Sequence, residues 1–325
     1  MTPYYLGGDL GSTRTRIVIA NAEGHALSYT ESGPGNHEVV GFPGVETNSR
    51  QAITEALKVA GITIDQIAGA GFGISGYDWP IEYEPHMDLI RSLGFRQALE
   101  IVNDTELGLL AGSPKGWGVA VVSGTGCNCR GWDETRTRRG RVTGGGFYNG
   151  EFAGASELIF MTVRALAYEW SGRGPKTELS AAFVTKYGLK DLEELLQEIN
   201  CETIEIDAED ARLVFQVATE GDEVALDLVR WAGRELGELA VTVIRQLGFQ
   251  SLDFDLVQIG SMFDGSPLLT QEMKKKVHRF APSANFIRLN EPPVLGAVLL
   301  GMETAGVRPE SLLRSNLAHS ISRFR

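Results

Sequence analysis

The chain has 325 residues, of which 43% are hydrophobic, and its formal net charge at neutral pH is −12. This length exceeds that of a usual single domain, so we expect two domains with a cleft between them. The acidic charge argues against nucleic acid or an anionic membrane as the main partner, because both bind basic surfaces. No apolar run approaches the roughly 18 residues that span a bilayer, and no signal-peptide pattern stands at the start, which predicts a cytoplasmic protein.

The first third of the sequence alternates strand and helix patterns. The predicted elements are strands over 4–10, 16–21, 25–32, 67–74 and 98–102 and helices over 45–60, 85–93 and 105–111. Three consecutive strands followed by crossovers are typical of an α/β domain with a mixed sheet.

The second half of the sequence restarts the same plan. The predicted elements are strands over 118–123, 126–133, 140–143 and 256–259 and helices over 157–170, 179–187, 192–199, 208–219, 222–247, 267–279 and 293–304. The repeated opening predicts one domain over 1–114 and a second over 115–292, which carries a helical insertion. A C-terminal helical segment, 293–325, is expected to pack back on the first domain.

Two turns of similar design follow the first strand of each half, in segments 7–15 and 121–130. In each, a β-branched run stops at a turn of Gly, Ser and Thr, and a further strand-like run follows. Glycines let the backbone approach a ligand closely, and successive N–H groups form a concavity that binds anions. One such turn is usually only a hairpin, but two that face each other favour a polyphosphate site.

The residues of these turns carry a family resemblance. Gly-Asp-Leu-Gly-Ser-Thr over 8–13 resembles the first phosphate motif of the actin, sugar-kinase and heat-shock ATPase superfamily, and Ser-Gly-Thr-Gly over 123–126 resembles the second. The string 123–130, with Gly-Pro-Gly-Asn-His over 33–37, is similar to the N-acetylglucosamine kinases and archaeal-type hexokinases of the BadF/BadG/BcrA/BcrD ATPase family. The resemblance implies two ribonuclease H-like (actin-like ATPase) domains, each a mixed five-stranded sheet flanked by helices, around an interdomain cleft. It also implies ATP-dependent phosphorylation of N-acetylglucosamine or a related hexose such as glucose.

The resemblance also implies a nucleotide site. Its residues are Gly8, Asp9, Gly11, Ser12, Thr13, Gly124, Thr125, Gly126, Gly260 and Ser261. A carboxylate at Asp9 would repel bound phosphates unless a cation intervenes, which implies Mg²⁺ held through water. The alternatives are that Asp9 only stabilises its own turn, that the two threonines satisfy local backbone, and that segment 257–263 is merely a strand followed by a turn.

Asp104 is the candidate catalytic residue. It lies between a strand and a helix in Ile-Val-Asn-Asp-Thr over 101–105, which resembles the catalytic aspartate turn of the kinases. A carboxylate there would take the proton of the attacking sugar hydroxyl, general-base help worth about 10²–10⁴-fold. The alternative is that Asp104 only caps the helix, a role that Asp often fills. The two phosphate turns favour the catalytic interpretation.

The sugar site is expected to draw on both halves of the chain. Its residues are Asn36, His37, Ser75, Gly76, Asp78, Asn128, Gly145 and Glu151. Singly, each is more often a surface polar residue, and His37 is more often structural, but carboxylates such as Asp78 and Asp104 would bind vicinal sugar hydroxyls. Glu151 stands where these kinases usually have Asp, with one apparent insertion in 150–154, and Glu38 replaces an aromatic residue of the animal kinases. The identity of the sugar and the oligomeric state stay open, with a homodimer as one candidate.

Other functional classes fit the sequence less well. Residues 71–76 match the Gly-x-Gly-x-x-Gly pattern of dinucleotide-binding proteins, but Asp-Trp-Pro over 78–80 interrupts the helix that should follow. No P-loop sequence is present. A dehydratase activator of the same fold would need iron–sulfur cysteines near 150–170, where the sequence has none. Cys127 and Cys129 have the spacing of a metal half-site but also of two residues on one strand face, which we favour. A sugar sensor without catalysis is the remaining alternative.

Overall fold

The computed structural model describes residues 3–324, which form two five-stranded sheets. The strands of the first sheet are β1 (Tyr4–Leu10), β2 (Thr15–Asn21), β3 (Ala26–Ser32), β4 (Ile67–Ile74) and β5 (Ala98–Asn103). Their order is β3-β2-β1-β4-β5. The first three strands pair antiparallel, whereas β4 runs parallel to both β1 and β5.

The second sheet repeats this topology. Its strands are β6 (Gly118–Ser123), β7 (Cys127–Trp132), β8 (Arg139–Arg141), β9 (Phe254–Ile259) and β10 (Ala284–Arg288). Their order is β10-β9-β6-β7-β8. Taken in the opposite direction, from β8 to β10, this order matches the first sheet strand for strand. The predicted fold of two mixed five-stranded sheets flanked by helices is therefore confirmed. The domain boundary at 114/115 stays a prediction.

Twelve helices lie in the described part of the chain. They are α1 (His37–Ala60), α2 (Tyr83–Ser92), α3 (Asp104–Gly112), α4 (Ala155–Trp170), α5 (Glu178–Tyr187), α6 (Leu192–Asn200), α7 (Ala211–Thr219), α8 (Glu223–Leu247), α9 (Met262–Gly265), α10 (Pro267–Phe280), α11 (Val294–Thr304) and α12 (Ser311–Ser322). Within residues 3–324, none of these helices is both long enough and apolar enough to cross a membrane.

The structure departs from the predicted elements in a few places. Helix α1 begins at His37 rather than at 45, because the Asn36 side chain caps it and the helix continues through a kink at Gly41, where φ is +66°. Gly41 with positive φ and Pro43 two residues later are both atypical of a helix interior, so the sequence pattern did not predict the first part of α1. Strand β10 and helix α9 were not predicted, and α12 lies within the helical segment predicted over 293–325.

Helix α11 lies directly on the backbone of the first sheet. An added Cβ at Gly71 would lie 2.5 Å from the Ala297 carbonyl oxygen, and one at Gly69 would overlap the carbonyl of Gly301. These glycines of β4 therefore serve helix packing, which gives the 71–76 pattern a role other than dinucleotide binding. Side chains of α3 and α11 also pack between the two sheets, where Leu107 joins a core with Val257 of β9.

Replacing Gly71 by Ala should therefore destabilise the protein by about 2 kcal/mol or more, because the methyl group must displace the α11 backbone. Gly61→Ala is the control: its backbone is left-handed (φ +68°), but an added Cβ there meets no heavy atom of residues 3–324 within 4 Å. The control should lose only about 1 kcal/mol, the cost of the left-handed conformation. Chemical denaturation measures both, and equal losses would contradict close packing of the helix on β4.

Candidate active site

The two phosphate-type turns present exposed tips. In the first, the Gly11 N–H donates to the Arg14 carbonyl at 2.9 Å, and in the second the Gly124 N–H donates to the Gly126 carbonyl at 2.9 Å. Ser12, Thr13 and Thr125 are exposed at these tips. An added Cβ at either glycine of the second turn would meet no heavy atom within 4 Å among the described residues. The second turn thus borders open space that a ligand could enter.

The second turn is held from behind by the start of α4. The Ala155 N–H donates to the Gly124 carbonyl at 2.9 Å, and the Ser156 N–H donates to the Thr125 carbonyl at 3.0 Å. Gly154 lies so close that an added Cβ would be 2.5 Å from the Cα of Gly126. The turn and the N-terminus of this helix therefore move as one unit.

The turn after β9 packs against the same structure. Gly260 has φ +103°, and an added Cβ there would overlap the Ser123 carbonyl. Arg288, from the unpredicted strand β10, donates to the Gly260 carbonyl at 2.9 Å and forms an ion pair with Asp264 at 2.9 Å. The resemblance to an adenosine-binding turn did not include this arginine, since nothing in segment 284–288 marked it as a strand.

A cavity of about 170 Å³ lies beside this turn. It is lined in part by Thr125, Ser261, Glu209, Arg212, Phe215 and Met262. The first two are predicted nucleotide residues. The other lining residues were not predicted, because only the tertiary fold brings α7 and the turn before it to the site. They include Glu209, Arg212 and Phe215.

Several predicted sugar residues contact the first phosphate turn. The Asn36 Nδ2 donates to Ser12 Oγ at 3.1 Å, and Ser12 Oγ lies 3.0 Å from Ser75 Oγ. Gly76 has φ +81°, and an added Cβ there would lie 2.5 Å from Asn36 Oδ1. Asn36, Ser75 and Gly76 therefore form one network with the phosphate turn.

His37 packs instead in a group of rings. Its ring centroid lies 4.9 Å from those of both Phe42 and His86. Its Nδ1 is buried, and the described residues provide no hydrogen-bond partner for this atom. The ring contacts place His37 in the packing between α1 and α2, and its part in a sugar site stays a prediction.

Asp78 joins the two halves of the chain. Its Oδ1 accepts hydrogen bonds from Arg130 at 2.7 Å and from Asn103 and Asn128 at 3.3 Å each. The Asp78 and Arg130 side chains are 17% and 7% exposed, so the ion pair is largely removed from water. Asp78 was predicted as an acceptor for sugar hydroxyls, whereas its partner Arg130, whose side chain on β7 compensates its charge, was not predicted.

Asp104 has no such partner, because no Lys, Arg or His of residues 3–324 forms an ion pair with it. Burial, together with the charges of Asp9 and Asp78, raises its pKa to about 6. The helix cap is Asn103, whose side chain accepts from the Thr105 N–H at 3.0 Å. Asn103 therefore occupies the N-cap position of α3, although the Thr105 N–H also donates to the Asp104 carboxylate and lowers its pKa in part.

Asp9 is buried at the end of β1 and is paired with Arg16 of β2 at 3.2 Å. Burial raises its pKa, although the Arg16 guanidinium acts in the opposite direction. Residues 3–324 contain no group of three or more His, Cys, Asp or Glu side chains that could hold a metal ion. A single buried carboxylate fits Mg²⁺, which binds through one or two carboxylates, water and substrate phosphates rather than in a protein cage.

Glu151 lies in the loop that follows β8. Its Oε1 accepts from the Thr143 N–H and hydroxyl, both at 2.7 Å, whereas its Oε2 is buried without a partner among the described residues. The Gly145 N–H also donates to the Thr143 hydroxyl, at 3.2 Å. An orphaned buried carboxylate oxygen is costly and indicates a missing donor such as a ligand hydroxyl.

The cysteine pair is structural within the described chain. Cys127 and Cys129 are both buried on β7, as two residues on one strand face should be. Burial raises the pKa of Cys127 to about 12, which disfavours the thiolate that a metal would need.

A sequence profile of the BadF/BadG/BcrA/BcrD ATPase family matches residues 6–301 of this chain. The chain belongs to this family. The match confirms the resemblance first noted in the two phosphate-type turns.

Named relatives of this BadF/BadG-type chain are kinases. N-acetylmuramic acid/N-acetylglucosamine kinase of Clostridium acetobutylicum is 27% identical over 300 residues, which cover 91% of this chain and 97% of that kinase. N-acetyl-D-glucosamine kinase of Dictyostelium discoideum is 26% identical over 321 residues, with coverages of 92% and 98%. A Chromobacterium violaceum structure, provisionally named an N-acetylglucosamine kinase, has a TM-score of 0.68 at 22% identity, covering 92% and 99% of the two chains. This last likeness shows the shared fold.

The Asp78–Arg130 pair of this BadF/BadG-type protein should contribute strongly to stability. Asp78→Asn removes the charge that compensates a buried guanidinium, so we expect a loss of about 3 kcal/mol in the free energy of unfolding. The control is Asp88→Asn on α2, which breaks an ion pair with Arg91 in which both side chains are more than half exposed. The control should lose less than about 0.5 kcal/mol. Similar losses in urea denaturation would show that the cleft pair is no stronger than a surface pair.

Proposed function

We propose that this protein is an ATP-dependent kinase that phosphorylates a hydroxyl of N-acetylglucosamine or a related hexose. The observation that carries the proposal is Asp104, an unpaired carboxyl with a pKa of about 6 beside the residues of the first phosphate turn and of the candidate sugar loops. Family membership and the names of the relatives support the kinase class. ATP supply favours the cytoplasm as the place of the reaction.

In the proposed mechanism, Asp104 accepts the proton of the sugar hydroxyl while the oxygen of that hydroxyl bonds to the γ-phosphorus of ATP. The bond between that phosphorus and the bridging oxygen breaks, and ADP leaves. A base with a pKa near the working pH combines a large deprotonated fraction with useful basicity. Backbone N–H groups of the turns at Gly11 and Gly124 stabilise the phosphate charge.

We propose that Asp9 holds Mg²⁺ through water, and the bound ion would supply compensation for charge on the transferred phosphoryl group. Asn36, Gly145 and Glu151 are proposed to bind and orient the sugar. The buried Oε2 of Glu151 has the position of an acceptor that lacks its donor. The two halves, 1–114 and 115–292, are proposed to close over both substrates and exclude water.

The alternatives receive less support from the described residues. A cluster-bearing activator would need cysteine ligands, whereas Cys127 and Cys129 are buried in a strand and Cys201 lies at the end of α6, outside the candidate site. A sensor without catalysis would not need a base with a raised pKa in its cleft.

The test of the proposal is ADP release by the purified protein with ATP and Mg²⁺ over a panel of sugars. The panel contains glucose, mannose, N-acetylglucosamine, N-acetylmannosamine and N-acetylmuramic acid. We expect one or two of these to raise ADP release well above the rate without sugar. ATP hydrolysis at the same rate with every sugar would contradict the kinase proposal.

The pKa of Asp104 predicts a pH profile. A general base acts when deprotonated, so kcat/KM for the sugar, which reports the pKa of the free enzyme, should fall about tenfold per unit as pH drops below about 6 and should level off above it. Asp104→Asn should lower kcat by about 10²-fold or more and remove this inflection. An inflection that came from titration of ATP rather than of Asp104 would persist in the variant, which distinguishes the two.

The same variant, Asp104→Asn, should keep its thermal stability. Burial disfavours the charged form of Asp104, and Asn removes that charge without removing the helix cap, so the melting temperature at pH 8 should not fall. Asp88→Asn is the control for activity. A variant with parental kcat on the best sugar would remove Asp104 from the mechanism.

A further inference from the structure

Three charged residues form one row across the first sheet. Asp9 of β1 lies opposite Arg16 of β2, and Arg16 lies opposite Glu31 of β3. The Arg16 Nη1 donates to Asp9 Oδ2 at 3.2 Å, and its Nε donates to Glu31 Oε1 at 3.0 Å. One guanidinium therefore bridges two carboxylates that lie on strands at either side of it.

The two carboxylates of this row differ in their surroundings. The Asp9 side chain is only 7% exposed, whereas that of Glu31 is 33% exposed. Glu31 also accepts hydrogen bonds from the Tyr29 hydroxyl at 2.8 Å and from Arg14 Nη1 at 2.9 Å. Glu31 is thus a fixed anchor at the rim, and Asp9 is the buried end of the row.

The Arg16 guanidinium also faces the proposed nucleotide site. Arg16 lines a cavity of about 730 Å³ together with Gly260 and Ser261, the residues of the adenosine-type turn. Its side chain is 30% exposed, so part of the guanidinium is accessible from this cavity. Hydrated Mg²⁺ bound at Asp9 would compensate the negative charge of this carboxylate in place of Arg16. Two cations on one carboxylate would also repel each other. Arginine presents several donors in a plane and suits phosphate oxygens.

We propose that Arg16 is a phosphate-binding residue that exchanges partners: it neutralises Asp9 in the unloaded protein and transfers its Nη groups to a nucleotide phosphate when Mg²⁺ binds at Asp9. Glu31 holds Nε throughout and acts as the pivot. This inference rests on the proposed function, because it requires that nucleotide and Mg²⁺ bind at the first phosphate turn. It adds a residue that neither the turn motif nor its resemblance included.

The experiment measures the dissociation constant of ADP by calorimetry, with excess Mg²⁺ and with EDTA, and needs no turnover. Arg16→Gln should weaken metal-free ADP binding by tenfold or more, because the phosphates then meet an Asp9 carboxylate whose charge is no longer compensated. With Mg²⁺ the loss should be several-fold smaller, since the ion takes over the compensation of Asp9. The dissociation constant without metal divided by the one with Mg²⁺ should therefore be larger in Arg16→Gln than in the parent.

The matched control is Arg14→Gln. It removes the same charge two positions earlier in the chain, and Arg14 likewise pairs with Glu31 and lines the same cavity, but no ion pair joins Arg14 to Asp9 among the described residues. Its ratio should stay within twofold of the parental ratio. Glu31→Gln should change the ratio in the same direction as Arg16→Gln but less, because the pivot weakens while the guanidinium remains.

A second comparison separates phosphate binding from an effect through Asp9 alone. In an Asp9→Asn background, Arg16→Gln should still weaken metal-free ADP binding several-fold. An unchanged constant there, an unchanged ratio in the single variant, or an equal change in Arg14→Gln would each overturn the proposal. A parent that does not bind ADP at all would instead contradict the proposed function, and melting temperatures of all variants identify any that fail to fold.

Discussion

The candidate site depends on how the charges of three neighbouring carboxylates are compensated. Asp9 and Asp78 both lie near enough to Asp104 to raise its pKa. Two of the three carboxylates carry an arginine: Arg16 for Asp9 and Arg130 for Asp78. Each arginine comes from the second strand of its own sheet. The third carboxylate forms no ion pair among the described residues, and burial together with the two neighbouring negative charges raises its pKa to about 6.

The shared topology of the two sheets explains how these groups meet. In each half the first strand ends at a glycine-containing turn and the second strand returns beside it, so both turns lie at corresponding places. Arg16 is the second residue of β2, whereas Arg130 is the fourth residue of β7. Helix α11 can lie on β1 and β4 only because Gly7, Gly69 and Gly71 leave room for its backbone. The residues of the cleft are therefore positioned by main-chain packing, with little freedom for side chains to adjust.

Much of this organisation could be predicted from the sequence. The two turns have a composition that few other structures require, and the strands and helices around them are long and regular enough to be recognised. Strand β10 was missed because Ala284–Arg288 is a short edge strand with mixed polarity, and Arg288 was missed with it. The compensation of Asp78 by Arg130 could not be predicted, since Asp78 lies in the loop after β4 of the first sheet and Arg130 on β7 of the second. The cap of α3 was ambiguous between Asn103 and Asp104 until their contacts were known.

The attachment of the second turn to α4 has a consequence for protein engineering. Segment 150–154, which carries Glu151, runs directly into the two backbone hydrogen bonds that fix Gly124 and Thr125. A library that varies this segment to change sugar preference would also shift the turn beside which ATP is proposed to bind. Selection for a new acceptor sugar would therefore have to be combined with a counter-screen for wasteful ATP hydrolysis, and residues 154–156 are best left unvaried.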